Sequence, residues 1–137
     1  MTSGIKRQAQ VLLIKAAEDE AVLQLTEVPD GPFGFHVQQA IEKSLKALLA
    51  QLSVEFPFSH DLNYLAARLR AEGEVLPATL PDLSQIGTFA VTHRYDDIPE
   101  FQVLDRAEAI ETVRLIREYV VARIAALSAS PESPPVQ

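Results

Sequence analysis

Apolar residues three and four positions apart run through this chain, and no convincing stretch of alternating β-branched residues interrupts them. That spacing is the period of an α-helix with one buried side. In FHVQQAIEKSLKALLA, residues 35–50, Ile41, Leu45 and Leu48 share one face with Leu52 just beyond, at about 100° per residue. His36, Gln39, Glu42, Lys43 and Lys46 fall within an arc of roughly 120° on the opposite face. Leu62, Leu65 and Leu69 make a second stripe; Ile110, Val113, Ile116, Val120, Ile124 and Leu127 make a third.

Breakers and caps divide these stripes into elements. A first helix is expected over IKRQAQVLLIKAAEDEAVLQL, residues 5–25, which is rich in good helix formers. TEVPDGPFG, with two prolines and two glycines, should end it. For the third helix Ser59 is a candidate N-cap, Asp61 suits the positive first turn and Gly73 is placed to stop it. A fourth is expected to start near LPDLSQIGTFAVTHRY and to end before Pro99, and Asp105 with Glu108 signals the start of the last. The expectation is an all-α, antiparallel, up-and-down bundle of about five helices over residues 1–127. Proline and serine make SASPESPPVQ, residues 128–137, a disordered tail.

Length and composition narrow the function. A chain of 137 residues that is 47% hydrophobic builds one core without staples. With Cys at 0 there is no disulfide framework and no thiolate zinc site, which fits a reducing cytoplasm. No apolar run approaches the roughly 20 residues of a membrane span, and the first ten residues lack the apolar core of a signal peptide. A formal net charge of -7 argues against broad, sequence-blind binding to nucleic acid, which rests on many Lys and Arg contacts to phosphate. Asp96 and Asp97 follow His93, but no second histidine is near in sequence, so neither a metal site nor a cofactor is expected. There is no glycine-rich phosphate loop.

Several stretches, taken in order, resemble the HEPN domain family (higher eukaryotes and prokaryotes nucleotide-binding). Its second helix reads approximately F-H-x-Q-Q-A-x-E-K-x-L-K-A, matched by Phe35, His36, Gln38, Gln39, Ala40, Glu42, Lys43, Leu45, Lys46 and Ala47. Its H-D-L-x-x-L element is matched by His60, Asp61, Leu62 and Leu65, and an Ala-x-x-Asp element of the first helix by Ala16 and Asp19. Arg94 and Tyr95 in THRYDD stand where the family shows A-R-Y-P. The resemblance implies a helical bundle, usually a homodimer, often paired with a minimal nucleotidyltransferase in toxin–antitoxin or stress systems.

The family divides into ribonucleases and non-catalytic members. The ribonucleases carry Arg, four to six residues, then His, often extended to H-x-Y, with the two active-site copies meeting across the dimer. Here His93-Arg94-Tyr95 supplies H-x-Y, but Thr88 stands five positions before His93, and the nearest upstream arginine is Arg70. Threonine has neither the permanent charge nor the planar fork that grips phosphate. The reading is therefore a nucleotide-binding or partner-binding module, with Gln39, Glu42, Lys43, Lys46, Arg94 and Tyr95 as its functional surface. One alternative is a metal-independent endoribonuclease with His93 as general acid/base, and another is a non-catalytic assembly module. Each residue also has a plain structural role open to it. Glu42 and Lys46 form an i,i+4 pair worth about 0.2–0.5 kcal/mol on a solvated face, His60 can cap and pack the third helix, and Arg94 can sit at a helix C-terminus.

Overall fold

In a computed structural model of the chain, residues 4–56, 59–81, 83 and 105–129 are described. Among them are four helices and no strand: α1 (Arg7–Val22), α2 (Asp30–Gln51), α3 (Leu62–Ala71) and α4 (Arg106–Ala129). Five were expected. The additional helix, expected over the stretch beginning near Leu80, lies almost wholly outside the described residues, as do Thr88, His93, Arg94, Tyr95 and the segment after Ala129. The last helix runs two residues past the boundary expected at 127.

The largest departure from expectation is α2. Its predicted start at Phe35 moves back to Asp30, so most of the proline–glycine segment is helix. Pro29 holds the extended N-cap position, and Pro32 lies in the first turn, where a missing N–H would have had no helical partner anyway. α1 ends at Val22, short of the expected Leu25 and before the segment begins, so the segment founds α2 and does not itself break α1. Nor is α2 one-sided: Ala40, Ile41, Ser44, Leu45, Ala47, Leu48, Leu49 and Ala50 are all buried. A helix buried on most of its sides belongs in the interior, and α2 is the element against which α1, α3 and α4 each pack.

Each outer helix lays its stripe on α2. From α3 come Leu62, Leu65, Ala66 and Leu69; from α4 come Ala109, Val113, Ile116, Val120 and Ile124. Ile110 and Leu127, expected in the α4 stripe, are partly buried at its edge. α1 runs antiparallel to α2. Its leading Lys6 donates its backbone N–H to Gln51 Oε1 at 2.8 Å, and its trailing Asp19 meets His36 and Lys43. Arg106 opens α4 beside the opening of α2, donating to Val28 O and Asp30 Oδ1, both at 2.6 Å, with its guanidinium 4.4 Å from the Phe33 ring centroid.

The ends follow local rules. Asp61, not Ser59, caps α3 by accepting the Tyr64 N–H at 3.1 Å, while the Ser59 hydroxyl accepts the N–H of Asp61 itself. Asp105 caps α4 through the Glu108 N–H at 3.1 Å. Gly73 stops α3 at φ 95°, with the Glu74 N–H returning to Leu69 O at 3.0 Å. The same closure ends α2, where the Val54 N–H reaches Leu49 O at 2.9 Å, but there Ser53 takes the left-handed position at φ 62°. A side chain in that region is strained. Ser53→Gly is therefore expected to stabilise the protein by about 0.5–1 kcal/mol, even with loss of the Ser53 contact to Lys6. A urea midpoint that does not rise would show that this contact outweighs the strain.

Candidate functional site

The polar arc of α2 is not a solvated face. Glu42 retains 4% of its exposure and Lys46 9%, and both are enclosed with partners. Glu42 Oε1 accepts from Gln38 Nε2 at 2.8 Å and Oε2 from Lys46 Nζ at 2.7 Å. His60 Nδ1 lies 3.0 and 3.1 Å from the two oxygens. A carboxylate only accepts, so His60 donates from Nδ1, and Nε2 makes no hydrogen bond among the described residues. Lys46 also lies 5.6 Å from the centroid of the Phe56 ring. His60 is thus no cap for α3; it closes over Glu42, with its side chain 75% exposed.

A second carboxylate repeats the pattern on the other flank. Asp19, from α1, is 7% exposed; its Oδ1 lies 2.7 Å from His36 Nδ1, and its Oδ2 accepts from Lys43 Nζ at 2.7 Å. Each buried carboxylate therefore holds one lysine and one imidazole. Gln39 lies between the two groups on the helical wheel and donates to Gln38 Oε1 at 3.0 Å, which joins it to the Glu42 group. A polar strip results, in which Gln39 and Lys43 are half-buried on α2, with Asp19 and His36 on the α1 side and His60 on the α3 side.

Four of the six residues assigned to the functional surface from sequence thus share one connected face of α2: Gln39, Glu42, Lys43 and Lys46. They divide by accessibility. Lys43 and Gln39 reach the surface, whereas both Glu42 oxygens and the Lys46 ammonium are engaged beneath it. Arg94, Tyr95 and His93 lie outside the described residues. The sequence reading left Asp19 and His60 out of the surface. The signal for Asp19 was its register: Ala9, Leu12, Ala16, Asp19 and Leu23 share the side of α1 that faces α2. A carboxylate in a buried stripe must be paired. Among the described residues no group of three or more His, Asp and Glu side chains is arranged to hold a metal ion.

Electrostatics fix the state of the Glu42 group. Burial pushes the Glu42 carboxyl up, but hydrogen bonds and charge from Lys46 and His60 outweigh it and hold the group below the ordinary carboxylate range. A parallel clamp joins α3 to α4, where Glu74 accepts from Arg123 Nε at 2.8 Å, Arg123 Nη2 at 3.1 Å and Tyr119 Oη at 2.5 Å. The Arg123 guanidinium holds Glu74 low despite its burial, and the Tyr119 hydroxyl is pushed up to about 12 by burial and by Glu74. Carboxyls with depressed folded values contribute stability that is present above the unfolded value, about 4.3, and lost as pH falls through the folded one. Urea midpoints should therefore hold from pH 7 to about 5 and drop below about 4.3, with a shallower drop in Glu42→Gln and Glu74→Gln. Equal acid slopes in wild type and both variants would refute the assignment.

No helix among the described residues is long and apolar enough to cross a membrane. Comparison with curated proteins and with solved structures gives no match. The family model for the HEPN domain, in contrast, matches residues 32–124, from the first turn of α2 to the last turns of α4. That span holds Gln38, Gln39, Glu42, Lys43, Lys46 and His60, and it covers well over half of the chain. The match and the helical architecture agree: the chain belongs to the HEPN domain family.

Proposed function

We propose that this protein is a nucleotide-binding HEPN module that works as a homodimer beside a minimal nucleotidyltransferase. The observation that supports binding is this polar strip: on the α2 wheel Lys43 and Gln39 stand half-exposed between two imidazoles, each anchored through Nδ1 by a buried carboxylate. An anchored imidazole presents its second nitrogen in a fixed direction, and an ammonium beside it draws phosphate. Gln39 offers an amide for a base or ribose. Glu42 and Lys46 act from below, by holding His60 and the helix face in place. Arg94 and Tyr95 belong to the same surface in this reading, on the strength of the sequence resemblance alone.

Thr88 in the arginine position argues against a ribonuclease. Loss of one preorganised contact to a transition state costs on the order of 100- to 1000-fold in rate.

Calorimetry with a panel of adenine and guanine nucleotides tests the proposal. Binding should appear at millimolar ligand or below and weaken with salt. Lys43→Ala should reduce affinity about tenfold, the worth of one charge-assisted contact, with helix content by circular dichroism unchanged. A flat titration across the panel would leave the polar strip as a structural seam.

A further inference from the structure

Most of the large apolar side chains left exposed among the described residues are aliphatic; the aromatic ones are Phe35, 49% open, and Tyr64, 37%. Phe35 comes two positions after the buried Phe33, about 200° away around α2. Its ring stands nearly perpendicular to the His36 imidazole, at 80° with centroids 5.2 Å apart. His36 is held in turn by the buried Asp19 carboxylate at 2.7 Å. An exposed ring is thus fixed through a contact that leads back to the interior. Along α2, Phe35, Gln39 and Lys43 follow at i, i+4 and i+8, one ridge that drifts about 40° per step. Phe35 therefore heads the polar strip. Gln39 donates through Nε2 to Gln38, and its Oε1 makes no hydrogen bond among the described residues. Lys43 is the open ammonium of the strip; it uses one N–H on Asp19, whereas Lys46 is enclosed.

We infer that this ridge takes a free ribonucleotide lengthwise, with the base on the Phe35 ring, the ribose at Gln39 and the 5′-phosphate at Lys43. The inference rests on the nucleotide-binding reading above and deepens it, giving the base a partner and the ligand a direction. The polar strip by itself offers a base no apolar surface. Every base has a π face, and an exposed aromatic side chain can meet it on an open platform without a pocket. Phenylalanine has only two side-chain torsions, and the His36 contact already limits them, so stacking orders little that is not ordered beforehand. The sequence of groups sets the direction. Aromatic, amide and ammonium stand in the order of base, ribose and phosphate, over roughly 12 Å from Phe35 to Lys43. Gln39 Oε1 accepts from the ribose 2′-hydroxyl, and the remaining N–H groups of Lys43 make charge-assisted bonds to phosphate. One open ammonium on a chain of net charge -7 suits a single nucleotide and not a strand, whose binding rests on many phosphate contacts.

The chain contains no tryptophan, so Phe35→Trp places a single indole at the stacking position. On the full chain its emission should be quenched saturably by adenosine 5′-diphosphate and left unchanged by inorganic pyrophosphate. Calorimetry on Phe35→Ala and Phe35→Leu should show each losing about 5- to 100-fold in affinity for the diphosphate, the worth of one stacked base. Pyrophosphate, which has no base, should bind the wild type more weakly by a similar factor. The 2′-deoxy diphosphate should lose about two- to tenfold, the worth of one hydrogen bond. A short single-stranded oligoribonucleotide should bind no more tightly than the diphosphate. Circular dichroism checks the fold of each variant, and the pyrophosphate and deoxy arms on the wild type decide the matter even if Phe35→Ala disturbs folding. Adenosine diphosphate that binds the wild type and both Phe35 truncations alike, or no more tightly than pyrophosphate, overturns the ridge while leaving the nucleotide reading intact. So does an unquenched indole or equal affinity for the deoxy form. An oligoribonucleotide bound more than about tenfold tighter overturns the free-nucleotide assignment. A wild type that binds no nucleotide overturns both readings.

Discussion

Glu42→Ala is expected to lower the unfolding free energy by about 3–5 kcal/mol, the largest single cost among the polar residues. The reason lies in what remains. Lys46 would keep its ammonium beside the Phe56 ring with its carboxylate gone, and Gln38 and His60 would each lose an acceptor. Buried charges left alone are far more costly than buried pairs, and a pair replaced by apolar side chains is often neutral or better. The double variant Glu42→Leu with Lys46→Met should therefore recover most of the loss. Urea melts of the wild type, both single variants and the double variant close the cycle. If Glu42→Ala costs less than about 1 kcal/mol, the group is no more than a surface pair, and the account of a buried polar floor fails. The same set separates stability from binding. If the strip takes nucleotide as proposed, Lys43→Ala should lose affinity at a smaller cost in stability than Glu42→Ala, because Asp19 keeps His36 as a partner.

Much of this was legible in the residues, and the failures have physical causes. The stripes of α3 and α4 were read correctly because each helix has one buried side, and Gly73 and Asp105 mark ends whose backbone chemistry is local. In α2 the same reasoning misled. Periodicity separates an apolar from a polar side of α2 but does not show that neighbours cover the polar one, so a solvated face stayed open for an arc in which Glu42 and Lys46 are buried. Glu42 and Lys46 were read as an i,i+4 pair, and that pair exists, but His60 arrives from 18 positions away and Asp19 from the preceding helix. No spacing rule carries such contacts. The family motif did carry part of them, since F-H-x-Q-Q-A-x-E-K and H-D-L hold most of the partners of the Glu42 group. The Glu74 clamp with Tyr119 and Arg123 had no signal at all: a glutamate after a helix-stopping glycine usually faces water. Arg94 and Tyr95 remain expectations from the resemblance.

Phe33→Ala is expected to cost about 3–5 kcal/mol, as large as any core truncation in a domain of this size. Phe33 belongs to TEVPDGPFG, which reads in sequence as a pure breaker, where an exposed phenylalanine would matter little. In the structure it occupies the first turn of α2, almost wholly buried, beneath the Arg106 guanidinium. Its loss opens a cavity where α2 and α4 begin, and Arg106, held also by Val28 O and Asp30, loses the ring it lies over. Phe33→Leu retains most of the apolar volume and should cost roughly 1–1.5 kcal/mol, the difference measuring shape and the cation–π contact. The two origins of the segment's helicity can then be told apart. If Asp30–Gly34 is helical because Phe33 is anchored, amide exchange there should accelerate in Phe33→Ala before the centre of α2 responds. If exchange is unchanged and the cost is under about 1 kcal/mol, the prolines alone set the start of α2, and Phe33 is incidental to it.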